Sequence, residues 1–217
     1  MTRKDEVRSD MSEIFSLTES DKAAAVEIWV ESFYDYPAMR EYFIGHARTE
    51  QQYSNWLQAF VGLSFDMPFY LDYPLLGIRD EEGQLLAAMG CVDTVLPKAW
   101  PDTLHNAYAN FSDKLGEEGV RRLEHYEEVA AKQHPPMPHY FVDILGVRIN
   151  HRGKGYARQL LQELQSRSAA DPKSTGVFLD TEKADNVQIY KRLGYQLIAQ
   201  SDVEGMHCWH FFRADDN

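Results

Sequence analysis

The stretch Arg152-Gly153-Lys154-Gly155-Tyr156-Ala157 decides how this chain folds, because it follows an apolar, strand-like run and begins an amphipathic helix. Glycines let the backbone approach a ligand closely, and the amides at a helix N-terminus carry roughly half a positive charge. No acidic residue lies between Asp143 and Glu163, while four basic residues do, in a chain of formal net charge -12. The pattern predicts a turn that binds phosphate, and a pyrophosphate would fit there.

Length and composition indicate one α/β domain over residues 13–217, preceded by a flexible segment, residues 1–12. The 217 residues include 34 acidic and 22 basic side chains and are 44% hydrophobic. Such a chain has no basic surface suited to a polyanion, so we expect no nucleic-acid partner. The acidic charge either favours a cationic substrate or only keeps the protein soluble, and the charge alone does not decide between them.

Cysteine usage and hydropathy predict a cytoplasmic protein. Cys91 and Cys208 are too few for a disulfide scaffold and are not spaced as metal ligands. The charged segment from Met1 to Asp10 lacks the apolar stretch of a signal peptide, and no run of about 18 apolar residues suggests a membrane span. We therefore expect no membrane partner.

Two helices in the first half of the chain begin at residues suited to capping. Thr18 follows the strand-like run 13–17 and precedes Asp21 by three residues, and Thr49 precedes Gln52 in the same way. Helical spacing then predicts one apolar face on each helix, formed by Val26, Trp29, Val30 and Phe33 and by Tyr53, Trp56, Leu57 and Phe60. Both aromatic stripes are interpreted as core rather than as cofactor contacts.

The middle and end of the chain predict a mixed sheet. The apolar runs 75–79 and 84–95 are joined by residues of hairpin composition, and a charged helix over 113–133 reads as an insertion within about 98–138. Strand, phosphate-type turn, helix and strand from residue 140 to 181 form a crossover unit, which pairs two strands in parallel. Asp185 or Asn186 is expected to cap a brief helix that Gly194 closes, before strands over 195–199 and 207–213.

The segment from Tyr140 to Tyr195 resembles the GNAT superfamily of acyl-CoA-dependent N-acyltransferases. Within it, Ile144–Val147 resembles the family's fourth strand, Arg152–Ala157 its pyrophosphate loop, and Asn186–Tyr195 its helix and exit turn. The resemblance implies a GNAT-like three-layer α/β sandwich, with a mixed six- or seven-stranded sheet, helices on both faces and a helical insertion before strand 4.

Two shorter segments, 138–142 and 179–181, look most like the puromycin N-acetyltransferase branch of that superfamily. That branch usually has Glu where this chain has Asp180. The shorter side chain leaves binding possible and puts a proton relay through it in doubt.

The resemblance implies acetyl-CoA as co-substrate. The coenzyme's pyrophosphate would bind the amides of Arg152, Gly153, Lys154, Gly155, Tyr156 and Ala157, and its pantetheine arm would pair with the backbone of Leu145, Gly146 and Val147. The competing interpretation is a glycine-rich turn without a ligand. A Walker-type nucleotide site is excluded, because the stretch lacks the Gly-Lys-Ser/Thr ending.

The chemistry needs an acid for the departing thiolate and a base for the amine. The resemblance assigns Tyr190 to the coenzyme sulfur, and a buried core tyrosine is the alternative. Asn186 lies one helical turn earlier, where it caps its helix, hydrogen-bonds the coenzyme, or does both. Asp143 is the candidate base, since strand alternation puts it on the face of Phe141 and Leu145; a carboxylate paired with Arg or Lys is equally compatible. His139 and Asp180 are lesser candidates for contacting the substrate.

No metal is expected. His207 and His210 are three residues apart on a strand and therefore point to opposite faces, and a surface histidine is the favoured interpretation of each, with a substrate contact as the alternative. Cys208 would be a nucleophile only beside a positioned base, so direct transfer is the simpler mechanism.

These features predict an N-acetyltransferase that moves an acetyl group from acetyl-CoA to a primary amine of a small molecule by direct attack. Two alternatives remain open: a sensor that binds acyl-CoA without transferring the acyl group, and an acetyltransferase acting on a protein amine. We expect a monomer or a homodimer.

Overall fold

Seven strands form one mixed sheet in the order β1-β2-β3-β4-β5-β7-β6. The computed structural model describes residues 13–43 and 45–216, so the expected flexible segment 1–12 lies outside the described residues. The strands are β1 (Ile14–Ser16), β2 (Leu75–Arg79), β3 (Leu85–Asp93), β4 (Tyr140–Val147), β5 (Gly176–Thr181), β6 (Gln196–Val203) and β7 (Met206–Ala214). Among the strand pairs of the described residues, β4–β5 alone is parallel, which confirms the mixed sheet and the crossover between these strands.

Five α-helices connect and cover the strands: α1 (Lys22–Phe33), α2 (Glu50–Leu71), α3 (Asp102–Ala131), α4 (Tyr156–Ala170) and α5 (Ala184–Arg192). The helix starts at Thr18 and Thr49 are confirmed. The Thr18 amide donates to Asp21 Oδ2 at 2.8 Å, and Thr49 Oγ1 accepts from the Gln52 amide at 3.1 Å. None of the described helices is long and apolar enough to span a bilayer.

The helical insertion before β4 is confirmed as α3, although it begins earlier than residue 113. Pro101 precedes the helix at Asp102, and Gly116 interrupts its regular geometry with a φ of 77°. A positive φ costs glycine little and other residues more, so the chain changes direction there. Residues of the second half of α3 line a cavity together with residues of β4 and β5.

Two apolar cores confirm the three-layer arrangement. On one face, α1 and α2 pack with α3 around Trp29, whose indole nitrogen donates to the Ala88 carbonyl at 3.0 Å. On the other face, α4 buries Leu160, Leu161 and Leu164 against the central strands. Burying these side chains contributes about 1.5–3 kcal/mol each, which holds the sheet rigidly between the helical layers.

The two central parallel strands pair only at their beginnings. Tyr140 pairs with Val177 and Phe141 with Phe178, and no later residue of β4 pairs with β5. On its other edge β4 stays paired with β3 up to Val147, with a register shift that leaves Asp143 without a partner residue. Asp143 is therefore the extra residue of a β-bulge, a feature that bends a strand and re-aims its side chains. The bulge lies where β4 turns away from β5.

Candidate active site

A cavity of about 510 Å³ lies beyond the last paired residues of β4 and β5. Its walls come from these strands, from α5, from α2, from α3 and from the segment that follows α1. Aromatic side chains make up much of the lining: Phe33, Tyr36, Phe60, Trp100, Tyr108, Tyr126, Phe141 and Tyr190. Cavities of this size bind small organic ligands.

The aromatic stripes of α1 and α2 are only partly core, which corrects the sequence interpretation. Trp29, Tyr53 and Leu57 are buried in the core as expected. Phe33 and Phe60, at the ends of the two stripes, instead line the cavity. Phe33 contacts Tyr36 and Phe60 contacts Phe111, at ring-centroid distances of 5.0 and 6.0 Å, so both rings pack beside the cavity as well as lining it.

Four carboxylates line the cavity: Glu127, Asp143, Asp180 and Glu182. Among the lining residues that the structure describes there is no lysine and no arginine. The one histidine in the lining, His134, has a pKa lowered to about 4 by burial and by the neighbouring His139 and His210, so its ring is neutral near pH 7. The cavity therefore combines negative charge with aromatic surface.

Asp143, the candidate base, faces this cavity from the bulge of β4. Burial raises the pKa of its carboxyl to about 6, although a hydrogen bond with Ser64 opposes the shift. Its Oδ2 atom is buried and has no hydrogen-bond partner among the described residues. The alternative of a structural ion pair with Arg or Lys is not seen in the described part of the chain. A carboxylate with a free oxygen and a pKa near 6 suits general base catalysis.

Asp180 and Glu182 are two residues apart at the end of β5 and face the cavity together. The pKa of Asp180 is raised well above its usual value by burial, then by the charges of Glu182 and Asp143. Glu182 accepts hydrogen bonds from Tyr126 Oη and from Cys208 Sγ, the latter at 3.3 Å. Glu127 approaches from α3 at the exposed rim, where partial burial and the charge of Asp143 raise its pKa to about 7.

Tyr190, the candidate acid, also lines the cavity, so it is not solely a core residue. Its ring contacts Tyr195 and Phe211, with centroid distances of 6.1 and 5.6 Å. Burial, together with the charges of Asp180 and Glu182, raises the pKa of the phenol above its usual value. The hydroxyl therefore keeps its proton at neutral pH.

Asn186 lines the cavity one turn before Tyr190, but it does not cap α5. The helix begins at Ala184 after Lys183, so the prediction that Asp185 or Asn186 is the cap was wrong. The Asn186 side-chain nitrogen instead donates to Thr181 Oγ1 at 3.0 Å, which ties α5 to the end of β5. Gly194 closes the helix with a φ of 89°, as expected.

The turn Arg152–Ala157 lies outside the cavity lining, at the start of α4. Gly153 and Gly155 have φ values of 77° and 91°, and a Cβ atom at either position would meet nothing within 4 Å. The Arg152 amide donates to the Ile149 carbonyl at 3.3 Å, whereas the amides of residues 153–155 donate to no backbone carbonyl of the described residues. Free amides beside open space are what an anion requires at a helix N-terminus.

The stretch Leu145–Val147 connects the cavity to this turn. Leu145 lines the cavity, while Gly146 is packed so closely that an added Cβ would lie 2.7 Å from Trp29 Cδ1. The Val147 carbonyl accepts from Arg152 Nε at 3.2 Å and from Ser32 Oγ at 3.4 Å. The edge of β4 that faces β5 is unpaired along this stretch.

Two histidines differ from their expected positions. His139 is 2% exposed, and its Nδ1 donates to the Met137 carbonyl. His134, whose Nδ1 lies 3.1 Å from His139 Nε2, is the imidazole that reaches the cavity. His210 is fully buried, which corrects its interpretation as a surface histidine, whereas His207 is exposed. Antiparallel pairing places His210 opposite Asp180, in the interior of the sheet.

Asp180, Cys208 and His210 bring three metal-ligand types within 4.8 Å of one another. Burial lowers the pKa of His210 to about 4, so its ring is neutral and the 3.7 Å approach to Asp180 is not an ion pair at neutral pH. The pKa of the Cys208 thiol is raised by burial and by Asp180 and Glu182. The expectation that no metal binds stays a prediction.

Sequence reasoning missed several cavity residues. Glu182 had a usable signal, because strand alternation places it on the side of Asp180. Glu127 and Tyr126 had none, since they lie in the insertion, and nothing in their spacing shows that this helix folds over the cavity. His134 ends the same insertion.

Residues 111–197 match the family model of the Acetyltransferase (GNAT) domain. The fold is shared with a protein described as histone acetyltransferase HPA2 and related acetyltransferase from Corynebacterium glutamicum ATCC 13032, at a TM-score of 0.65 and 20% identity over 95% of this chain and 98% of that chain. The mosquito arylalkylamine N-acetyltransferase like 5b shares it at a TM-score of 0.54 and 16% identity, over 93% and 99%.

Arabidopsis thaliana NAA60, solved in complex with acetyl-CoA, has a TM-score of 0.51 and 14% identity over 93% of this chain and 98% of that chain. Identities this low show the shared fold alone. Over residues 111–197 the chain is therefore similar to a GNAT acetyltransferase domain, and its fold is one that these acetyltransferases share.

Proposed function

We propose that this protein transfers an acetyl group from acetyl-CoA to a primary amine of a small molecule by direct attack. The observation that carries the proposal is the gap between β4 and β5, which opens into a cavity lined by a carboxylate of raised pKa, Asp143, and by a protonated phenol, Tyr190. The resemblance to the puromycin N-acetyltransferase branch supports a small acceptor and belongs to the same proposal.

The chain offers binding groups for acetyl-CoA on both sides of the gap. The free amides of residues 153–155 would hold the pyrophosphate, and the unpaired edge of Leu145–Val147 would pair with the pantetheine arm. Arg152, Tyr156 and Ala157 complete the turn, and Asn186 would hydrogen-bond the coenzyme beside Tyr190. Backbone groups suit this role, because an open strand edge presents unsatisfied donors and acceptors.

The reaction forms a bond between the amine nitrogen and the acetyl carbon and breaks the bond between that carbon and sulfur. Asp143 accepts the proton that nitrogen loses, and Tyr190 donates its proton to sulfur as the thiolate departs. Burial and the charges of Asp180 and Glu182 raise the pKa of the Cys208 thiol, and the same two carboxylates line the cavity. A thiolate leaving here is therefore a stronger base than in water, which favours proton transfer from Tyr190.

Cys208 does not serve as a nucleophile in this proposal. Its thiol is buried, its pKa is raised, and it donates a hydrogen bond to Glu182. Only a thiolate attacks efficiently, so a protonated, enclosed thiol is a poor nucleophile. Direct attack by the amine needs no covalent enzyme intermediate.

The position of α3 supports a small acceptor over a protein. Leu123, Tyr126 and Ala130 of this helix form one wall of the cavity opposite the strands. A peptide needs an extended groove to reach the sulfur, whereas a cavity walled by helices on several sides suits a compact molecule. The neighbour described as histone acetyltransferase HPA2 and related acetyltransferase keeps an amine of a protein as the second candidate acceptor.

Two measurements test the proposal. Isothermal calorimetry should show saturable binding of acetyl-CoA, and free thiol should appear when small primary amines are added with acetyl-CoA. Binding without thiol release from any amine or peptide would identify an acyl-CoA sensor instead. If the protein neither binds acetyl-CoA nor releases free thiol, the proposal is overturned.

A further inference from the structure

The carboxylates of the cavity have no cation to neutralise them among the described residues. Within the described part of the chain, Asp143 and Glu127 form no salt bridge, and the basic side chain beside Asp180 is that of His210, whose ring is neutral. Glu182 is hydrogen-bonded by Tyr126 and Cys208, neither of which carries positive charge. Carboxylates are costly to enclose unless a positive charge accompanies them, so the cavity is built to receive one.

The four carboxylates come from two parts of the cavity wall, Asp143 on β4 with Glu127 on α3, and Asp180 with Glu182 at the end of β5, and the charge of Asp143 also acts on Asp180. Asp143 on β4 interacts with Glu127, which approaches from α3. Asp180 and Glu182 interact with each other at the end of β5. The first pair contains the free oxygen Asp143 Oδ2, which is buried and unpartnered beside the cavity. Next to the second pair lie the hydroxyls of Tyr36 and Tyr126, two tyrosines that line the cavity.

The reacting amine explains only one of these pairs of carboxylates, the pair that contains the proposed base Asp143. Its nitrogen attacks after losing a proton, so it ends the reaction as a neutral amide and leaves Asp180 and Glu182 without a counter-charge. A second nitrogen that keeps its charge throughout would neutralise them. Aromatic faces beside carboxylates are suited to hold such a cation, because the ring quadrupole adds to the attraction of the carboxylates.

We infer that the acceptor is a small organic dication, a diamine in which one nitrogen reacts beside Asp143 while the other is held by Asp180 and Glu182. The inference rests on the proposed function and names its substrate class. Amines that carry a carboxylate are excluded by repulsion from the same four side chains. The turn at 152–157, with its free amides and basic residues, lies outside the cavity. The anionic coenzyme therefore meets positive charge at the turn, whereas the cationic acceptor meets negative charge in the cavity.

The test compares acceptors of equal length. A series of α,ω-diamines is assayed for thiol release beside the alkylamine and the ω-amino acid of each chain length. We expect the best diamine to exceed its alkylamine by about 10- to 100-fold in kcat/KM, with no measurable turnover of the ω-amino acid. Alkylamines turned over as well as diamines would overturn the inference and leave the proposed acetyl transfer standing.

Variants locate the second nitrogen. Glu182→Gln keeps an oxygen for Tyr126 and removes the charge, so the ratio of diamine to alkylamine kcat/KM, measured within the same variant, should fall to within about threefold. Asp180→Asn serves as a second variant, and Glu81→Gln, in the exposed β2–β3 turn, is the matched control that keeps the preference. An unchanged preference in both cavity variants would contradict the inference.

Calorimetry with the diamine alone separates this inference from the proposed function. If the diamine binds, Glu182→Gln weakens that binding, and no amine causes thiol release, the result supports the dication site and overturns the proposed acetyl transfer. Failure of the wild-type protein to bind or acetylate any diamine would overturn the dication site.

Discussion

Phe141 of β4 pairs with Phe178 of β5, and this is the last backbone pair between the two parallel strands. Two residues further along β4, Asp143 is the extra residue of a bulge against β3. The bulge and the end of pairing occur together, because a strand that bends away from its neighbour loses its hydrogen bonds to it. The cavity lies in the space that this bend opens, and the reactive side chains line it.

Replacing Tyr190 by Phe should lower kcat by about 10²-fold or more with little change in the affinity for acetyl-CoA, because the phenol acts only on the departing thiolate. Stopped assays of thiol release and calorimetry measure the two quantities. Tyr195→Phe is the matched control, since Tyr195 is buried nearby and its hydroxyl has no hydrogen-bond partner among the described residues. Equal turnover of Tyr190→Phe and wild type would remove Tyr190 as the acid.

The pH profile of kcat should report Asp143. Its pKa is raised to about 6, and only the deprotonated carboxylate accepts a proton, so activity should rise with pH through this region. Asp143→Asn should lower kcat by about 10²- to 10⁴-fold and abolish the limb near pH 6. If the rise in kcat near pH 6 persists in Asp143→Asn, that rise reports the titration of another group, such as Glu127.

The same substitution should stabilise the fold at neutral pH. Because the folded pKa of Asp143 lies above its usual value of 3.8, the carboxyl favours folding only while it is protonated. That contribution is present below pH 4 and is lost as the pH rises to about 6. Asp143→Asn should therefore raise the free energy of unfolding at pH 8 by roughly 1–3 kcal/mol. Urea unfolding of both proteins at pH 4 and pH 8 measures this difference in the free energy of unfolding. Stabilisation by Asp143→Asn at pH 4 alone would contradict the predicted pH dependence.

Gly155→Ala should weaken acetyl-CoA binding. At a φ of 91° a Cβ atom costs about 1–2 kcal/mol, so the turn relaxes and its amides lose their alignment. Gly83→Ala is the control, because Gly83 has a φ of 84°, equally open surroundings and a position in the β2–β3 turn. Calorimetry should find coenzyme affinity lowered only for Gly155→Ala. Equal affinities for the two variants would argue against the turn as the pyrophosphate site.

Removal of divalent metals should leave acetyl transfer unchanged. Asp180, Cys208 and His210 are close enough to share an ion, but the Cys208 thiol donates to Glu182 and its raised pKa disfavours the thiolate that a metal needs. Elemental analysis of the purified protein and assays with and without a chelator test this. Stoichiometric zinc that the chelator removes together with activity would show a metal site.

Local features of this protein followed from the sequence alone. The cap at Thr49, the hairpin around Gly83, the turn at Gly153 and Gly155, and the end of α5 at Gly194 each depend on residues within a few positions of one another. Backbone conformation at such places is decided by side chains that a local pattern displays. The order of strands and helices, and with it the resemblance to a family, followed from these signals.

Tertiary structure decided which side chains share the cavity. Glu127 and Glu182 are 55 positions apart in a chain whose pattern relates neither to Asp143, and only the packing of α3 across the separated strands brings them together. The burial that raises the pKa of Asp143 comes from elements distant in sequence. The spacing of residues along a chain determines turns and the apolar faces of helices and strands. A cavity arises where helices and strands do not pack against one another, and its position therefore depends on their three-dimensional arrangement.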